Sequence, residues 1–147
     1  MTFDNLWGQA GWLYERNQLH AALDILSQML EKWPHHPDVL RNSGVIHLKL
    51  KQHDVAIDYL RKATARSPED ELASRSYFLA LWGSGHDEEA LAEASRFTQL
   101  TKSYPKKYQV ILKGILEALK QQEQEQIAAH NVRNMIAVEI SAKTALF

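Results

Sequence analysis

With seven histidines, eighteen acids and no cysteine, the chain's candidate chemistry rests on imidazoles and carboxylates. The lack of a thiol removes a cysteine nucleophile, a thiolate zinc site and a disulfide framework, and leaves the redox compartment open. A histidine metal site wants a second histidine or an acid one helical turn away. His86, with Glu89 and Glu93 downstream, comes nearest to that spacing, and it reads as the surface of a turn and helix start. His35 and His36 are adjacent, so their rings point apart, and His47 takes a position suited to a core aromatic. There is no Gly-rich phosphate loop, nucleophile elbow or pair of acids on an apolar wall, and Asp87-Glu88-Glu89 has a sufficient role in opening a helix. The expectation is a protein without metal or cofactor and not an enzyme.

What remains is binding. A formal net charge of -1, with 45% apolar and 24% charged residues in 147, is material for one packed domain. It offers no strongly basic face, so nucleic acid is not expected as a partner. His130, Arg133, Glu139 and Lys143 interrupt the apolar residues of 127–147, and the start MTFDNLWGQAGW has neither a basic opening nor an unbroken apolar run. Direct membrane insertion is therefore not expected, and a cytoplasmic location is.

The elements that must position a binding surface repeat along the chain. Shifted by 34 residues, Ala22, Ala56 and Ala90 coincide, as do Pro34 and Pro68, Ala10 and Gly44, and Leu26 and Leu60. A fixed period of this length is the mark of stacked helix-turn-helix units. Apolar spacing predicts helices at about 4–15, 19–32, 38–50, 53–66, 69–82 and 87–102, with turns at Asn17-Gln18, Lys51-Gln52 and Gly83-Ser84-Gly85. Gly44 and Ala56 sit where the two helices of a pair must approach closely. Ser67 is expected to cap the fifth helix, with Pro68 at its first position and Glu69 and Asp70 facing the positive end of its dipole. A further amphipathic helix, 106–126, is apolar at Tyr108, Ile111, Leu112, Ile115, Leu116 and Leu119 and ends in the polar run 121–126. It reads as a cap on the stack. Residues 1–126 thus form one domain with repeats at about 3–36, 37–70 and 71–104 and the cap at 105–126. In the tail, 127–147, Ala129, Val132, Ile136, Ile140 and Phe147 could make a helical stripe opened by Asn131. Such a tail could pack on the cap, lie in the protein's own groove, join a second chain or stay disordered.

These offsets resemble the tetratricopeptide repeat (TPR) family. The second repeat carries the pattern as Gly44, Ala56, Leu60, Ala63 and Pro68, and the first as Leu6, Ala10, Leu13, Ala22, Leu26, Met29 and Pro34. The third carries it as Tyr77, Phe78, Leu81, Gly85, Ala90 and Phe97, with Phe78 replacing a small residue and Ala94 a large one, a reciprocal swap that suggests a rearranged contact. The resemblance implies an all-α fold, a right-handed superhelical stack of three helix-turn-helix repeats plus a C-terminal capping helix. Three repeats, one long helix with Ile115-Leu116-Glu117-Ala118-Leu119-Lys120 and a short tail are also similar to the class II chaperones of type III secretion, though without a long helical N-terminal extension like theirs.

In the family, the first helices of successive repeats line a concave groove. Carried over by position, the lining is Asp4, Trp7, Gly11 and Tyr14, then Asp38, Arg41, Val45 and Leu48, then Leu72, Arg75, Leu79 and Trp82. The resemblance implies a peptide-binding groove of Trp7, Tyr14, Arg41, Val45, Leu48, Arg75, Leu79 and Trp82. Its apolar residues would seat anchors of an extended partner segment, and its arginines would hold backbone carbonyls or acids. Trp12 and Trp33 are expected between repeats or at their edge. Only Asn42 falls on a position of the clamp with which some members hold an acidic C-terminus; Trp7, Gly11, Leu72 and Ser76 occupy the others. The first expectation is a non-enzymatic adaptor or chaperone for a protein or peptide partner. The alternative is a self-assembling scaffold, a homo-oligomer joined through its tail or its first helix.

Overall fold

The 34-residue period is realised as a fixed structural register. The computed structural model describes residues 1–101, 106–122, 132–136 and 146. Its helices are α1 (Phe3–Glu15), α2 (Leu19–Lys32), α3 (Pro37–Lys49), α4 (His53–Arg66), α5 (Glu71–Gly83), α6 (Asp87–Thr101) and α7 (Lys106–Gln122), and residues 132–136 are helical as well. First helices begin at Phe3, Pro37 and Glu71, and second helices at Leu19, His53 and Asp87, each 34 residues after the last. Turns are copied as faithfully. Asn17, Lys51 and Gly85 all have positive φ, of 57°, 62° and 85°. The next amide then reaches back to the carbonyl five residues earlier: Gln18 to Leu13, Gln52 to His47 and His86 to Leu81, each at 2.9 Å. A left-handed residue closing a helix this way satisfies carbonyls that the helix end would leave bare.

The start of α5 corrects the sequence expectation. The helix begins at Glu71 rather than at 69, and its cap is Asp70, whose Oδ1 accepts from the Ala73 amide at 3.1 Å. Ser67 instead terminates α4, and its carbonyl accepts from the Asp70 amide at 3.1 Å, so Pro68 lies inside the inter-repeat turn. Asp70 has the register of the other first-helix caps, Thr2 and His36, and its second oxygen is held by Arg41 at 2.9 Å. A carboxylate that both caps and pairs outweighs a serine three residues earlier.

Within pairs, α1 packs on α2, α3 on α4 and α5 on α6; between pairs, α2 meets α3 and α4 meets α5. Gly44 sets the closeness of α3 and α4. A Cβ there would stand 2.5 Å from Leu60 Cγ and 3.2 Å from Tyr59 Cβ, so any larger residue forces the helices apart. In the third repeat the same two positions are Phe78 and Ala94, both buried, so bulk has moved across the contact without emptying it. One core cluster runs from Leu6 and Ala10 through Leu26, Ile46, Leu60, Phe78 and Phe97 to Ile111, Leu112 and Ile115 of α7. The polar residues 123–126, expected to extend α7, lie outside the described residues, as do Ala129, Asn131, Ile140 and Phe147 of the expected tail stripe. Val132 and Ile136 fall in the helical segment at 132–136. No helix among the described residues is long and apolar enough to cross a membrane.

Candidate interaction groove

The first helices adjoin one another. α3 contacts α5 directly, and α1 meets α3 where the Lys49 ammonium lies 5.0 Å from the centre of the Tyr14 ring. Burial pushes the Tyr14 phenol up to about 12 and lowers the Lys49 ammonium. Trp7 is half-buried and stacks on Phe3 at 5.8 Å, and Phe3 in turn meets Trp33 edge-on at 5.1 Å and the His36 ring at 4.6 Å. This cluster ties α1 to the loop before α3. Val45, Leu48, Leu79 and Trp82 are all buried in the main core cluster, and Trp82 stacks on Phe78 at 6.1 Å.

Both arginines are engaged within the fold. Arg41 bridges the repeats: Nη1 donates to Asp38 Oδ1 at 3.1 Å and to the Asp70 cap at 2.9 Å. Its Nε donates to Asn42 Oδ1 at 3.0 Å. Arg75, 8% exposed, pairs with Glu71 one turn back on α5 at 3.0 Å. The consequence of the Arg41 contact falls on Asn42. With its oxygen held, the fully buried Asn42 amide turns its nitrogen outward and donates to the main-chain carbonyl of Leu146 at 3.0 Å.

That carbonyl belongs to the tail, and the tail touches α5 and α6 as well. Arg133 Nη2 donates to both Asp87 oxygens at 2.9 Å, and its guanidinium lies 5.3 Å from the centre of the Trp82 ring. Ile136 and Leu146 are buried in the main cluster, with Val132 packed against it, while Asn134 and Met135 face solvent. Of the alternatives for the tail, the described residues therefore show a docked one, against residues of the first helices. Ser76 Oγ, Trp82 Nε1 and Arg133 Nε are buried with no hydrogen-bond partner among the described residues.

Two groups escaped the sequence-based lining. Asn42 was visible as the one match to a clamp position, yet its donor role needs Arg41 to orient it. Asp87 looked like a helix-opening acid, which it also is, and nothing local announces its pairing with Arg133. His86 meets Ser84 Oγ at 2.8 Å, and His47 meets Gln52 Oε1 at 2.6 Å and stacks on Tyr59 at 5.4 Å. Trp12 stands at the edge of α1, 53% exposed, with the Arg16 guanidinium 3.8 Å from its ring centre.

Residues 13–74, from the last turn of α1 into the first turn of α5, match the family model described as Tetratricopeptide repeat. No curated protein matches the chain. Repeats of this kind mediate protein–protein contacts and are typically not catalytic. With three helix pairs in one register, and the match taking in α2 to α4 with the adjoining turns of α1 and α5, the fold is an all-α stack of tetratricopeptide repeats.

Proposed function

We infer that the chain is a non-enzymatic interaction module that holds a segment of a partner protein on the face made by α1, α3 and α5. The observation that carries this reading is the contact of Asn42: a fully buried side-chain amide, oriented by Arg41, donates to a main-chain carbonyl. Carbonyls are common to every polypeptide, so a face that engages one segment this way is equipped to engage another. Trp82, whose ring the tail's Arg133 covers, and the partly buried Trp7 and Tyr14 of α1 supply the apolar side of this face in this reading, with Val45, Leu48 and Leu79 buried behind it. Arg41 and Arg75 serve from behind in this reading, by fixing Asn42 and the α5 start rather than by touching the ligand. The narrower form, a cytoplasmic chaperone for a type III secretion translocator, draws on the order of three repeats, a long helix and a tail; the family match adds no partner identity.

The test is to capture a partner from native extract with the full chain and map the complex by hydrogen exchange. Added protection on α1, α3 and α5 is expected; protection confined to α2, α4 and α6 contradicts the reading. One observation favours self-assembly as a second reading. Gly8, Gln9, Trp12 and Leu13 line a shallow, mainly apolar hollow on the outer side of α1, and such a patch suits contact with another surface. Light scattering decides it: a mass that rises with concentration and falls back with Trp12→Glu supports assembly through α1, and a constant monomer mass rules it out.

A further inference from the structure

The groove-facing residues are already engaged by the chain itself, and the manner of that engagement specifies what else would fit. We propose that the docked tail residues, 132–136 and Leu146, are a displaceable stand-in for the partner, and that the partner segment presents an arginine between Trp82 and Asp87 with a branched aliphatic residue three positions later. This rests on the reading of the α1, α3 and α5 face as the interaction surface.

Three features of the docked tail lead to it. The helical residues 132–136 set Arg133 and Ile136 on one side of the segment. What it touches is specific. The Arg133 guanidinium combines a ring face with a carboxylate, a pairing that suits its flat, delocalised cation better than a lysine ammonium. Ile136, on the same side of the turn, is buried in the core cluster, and further along the Leu146 carbonyl takes the Asn42 donor. Yet Trp82 Nε1 and Arg133 Nε have no hydrogen-bond partner among the described residues, and the arginine and Asp87 side chains remain 32% and 38% exposed. A tethered segment whose ion pair stays partly in water is held by its high local concentration more than by its complementarity. A free segment with the same arginine and aliphatic anchors, and an acceptor for Trp82 Nε1, would replace it.

A labelled peptide with the sequence of residues 127–147 tests this against full chains. Arg133 is partly exposed and outside the core, so Arg133→Glu should loosen the tail by facing Asp87 with a like charge while leaving the stack folded, as circular dichroism would verify. That chain should bind the peptide at least about tenfold more tightly than the unaltered chain, whose groove is occupied. A peptide bearing the same Arg133→Glu change should fail to bind it, and should bind instead to a chain with Asp87→Arg. Equal binding of both peptides would overturn the arginine preference while leaving the concave-face reading intact. Equal binding of the peptide to unaltered and Arg133→Glu chains would overturn the stand-in role. No binding to any chain would overturn the whole proposal, and the footprint of a captured partner would then judge the concave face separately.

Discussion

Two tryptophans in this molecule carry an arginine over their ring, with opposite consequences. Trp12 and Arg16 are one helical turn apart on α1, and the indole stays 53% exposed. Trp82 and Arg133 come from α5 and the tail, and the indole is 1% exposed. The cation and ring chemistry is shared; the chain separation and the water are not. A local pair in solvent decorates a helix that forms without it, whereas a distant pair at a buried ring fixes where a whole segment lies. Between them stands Lys49 over Tyr14, half-buried, joining neighbouring repeats.

The sharpest break of this comparison is to truncate each ring. Trp82→Ala removes a fully buried side chain together with the seat of Arg133 and should cost about 3–5 kcal/mol in denaturant unfolding of the full chain. Trp12→Ala should cost roughly 0.5 kcal/mol or less. Similar losses at the two sites would mean that burial is not what separates them. Next come the arginines. Arg133→Ala forfeits a partly exposed ion pair and a cation over a ring, together about 1 kcal/mol, and should leave the unfolding midpoint less sensitive to salt. Arg16→Ala should lie within a few tenths of a kcal/mol of the unaltered chain. The smallest effect concerns the intermediate pair. Burial raises the Tyr14 phenol from 10.0 to about 12, so the folded state keeps its proton where the unfolded chain has lost it. Stability from this group is full below pH 10 and is lost as pH rises toward about 12. Tyr14→Phe should flatten that part of a thermal-midpoint profile, and an unchanged alkaline slope would assign the loss to other groups.

Legibility followed chain separation in the same way. Helix pairs, turns and the Gly44 contact could be read because they recur at a fixed offset, and the recurrence averages out local ambiguity. The Phe78 and Ala94 swap was readable for the same reason, as two departures that compensate. Misreading at Ser67 to Asp70 came from two overlapping cap signals, which only the Arg41 ion pair across repeats resolves. The groove was harder. Register carried Val45 and Leu79 to the lining, yet both lie buried in the core cluster, and Arg41 carries no mark of turning inward to Asp70 and Asn42 rather than outward to a ligand. Contacts made by the tail have no repeat to predict them at all, so Asp87 and Arg133 could be joined only in three dimensions.

Docking of the tail on Trp82 is tested most directly by amide hydrogen exchange at residues 132–136 of the full chain. Arg133 over Trp82 and Ile136 in the core cluster are what hold these residues and protect their amides. These amides should therefore exchange slowly in the unaltered protein and at nearly the unprotected rate in Trp82→Ala, while those of α3 stay slow in both. Fast exchange at 132–136 in the unaltered protein, or the same slow exchange after the substitution, would contradict a tail held in the groove by this ring.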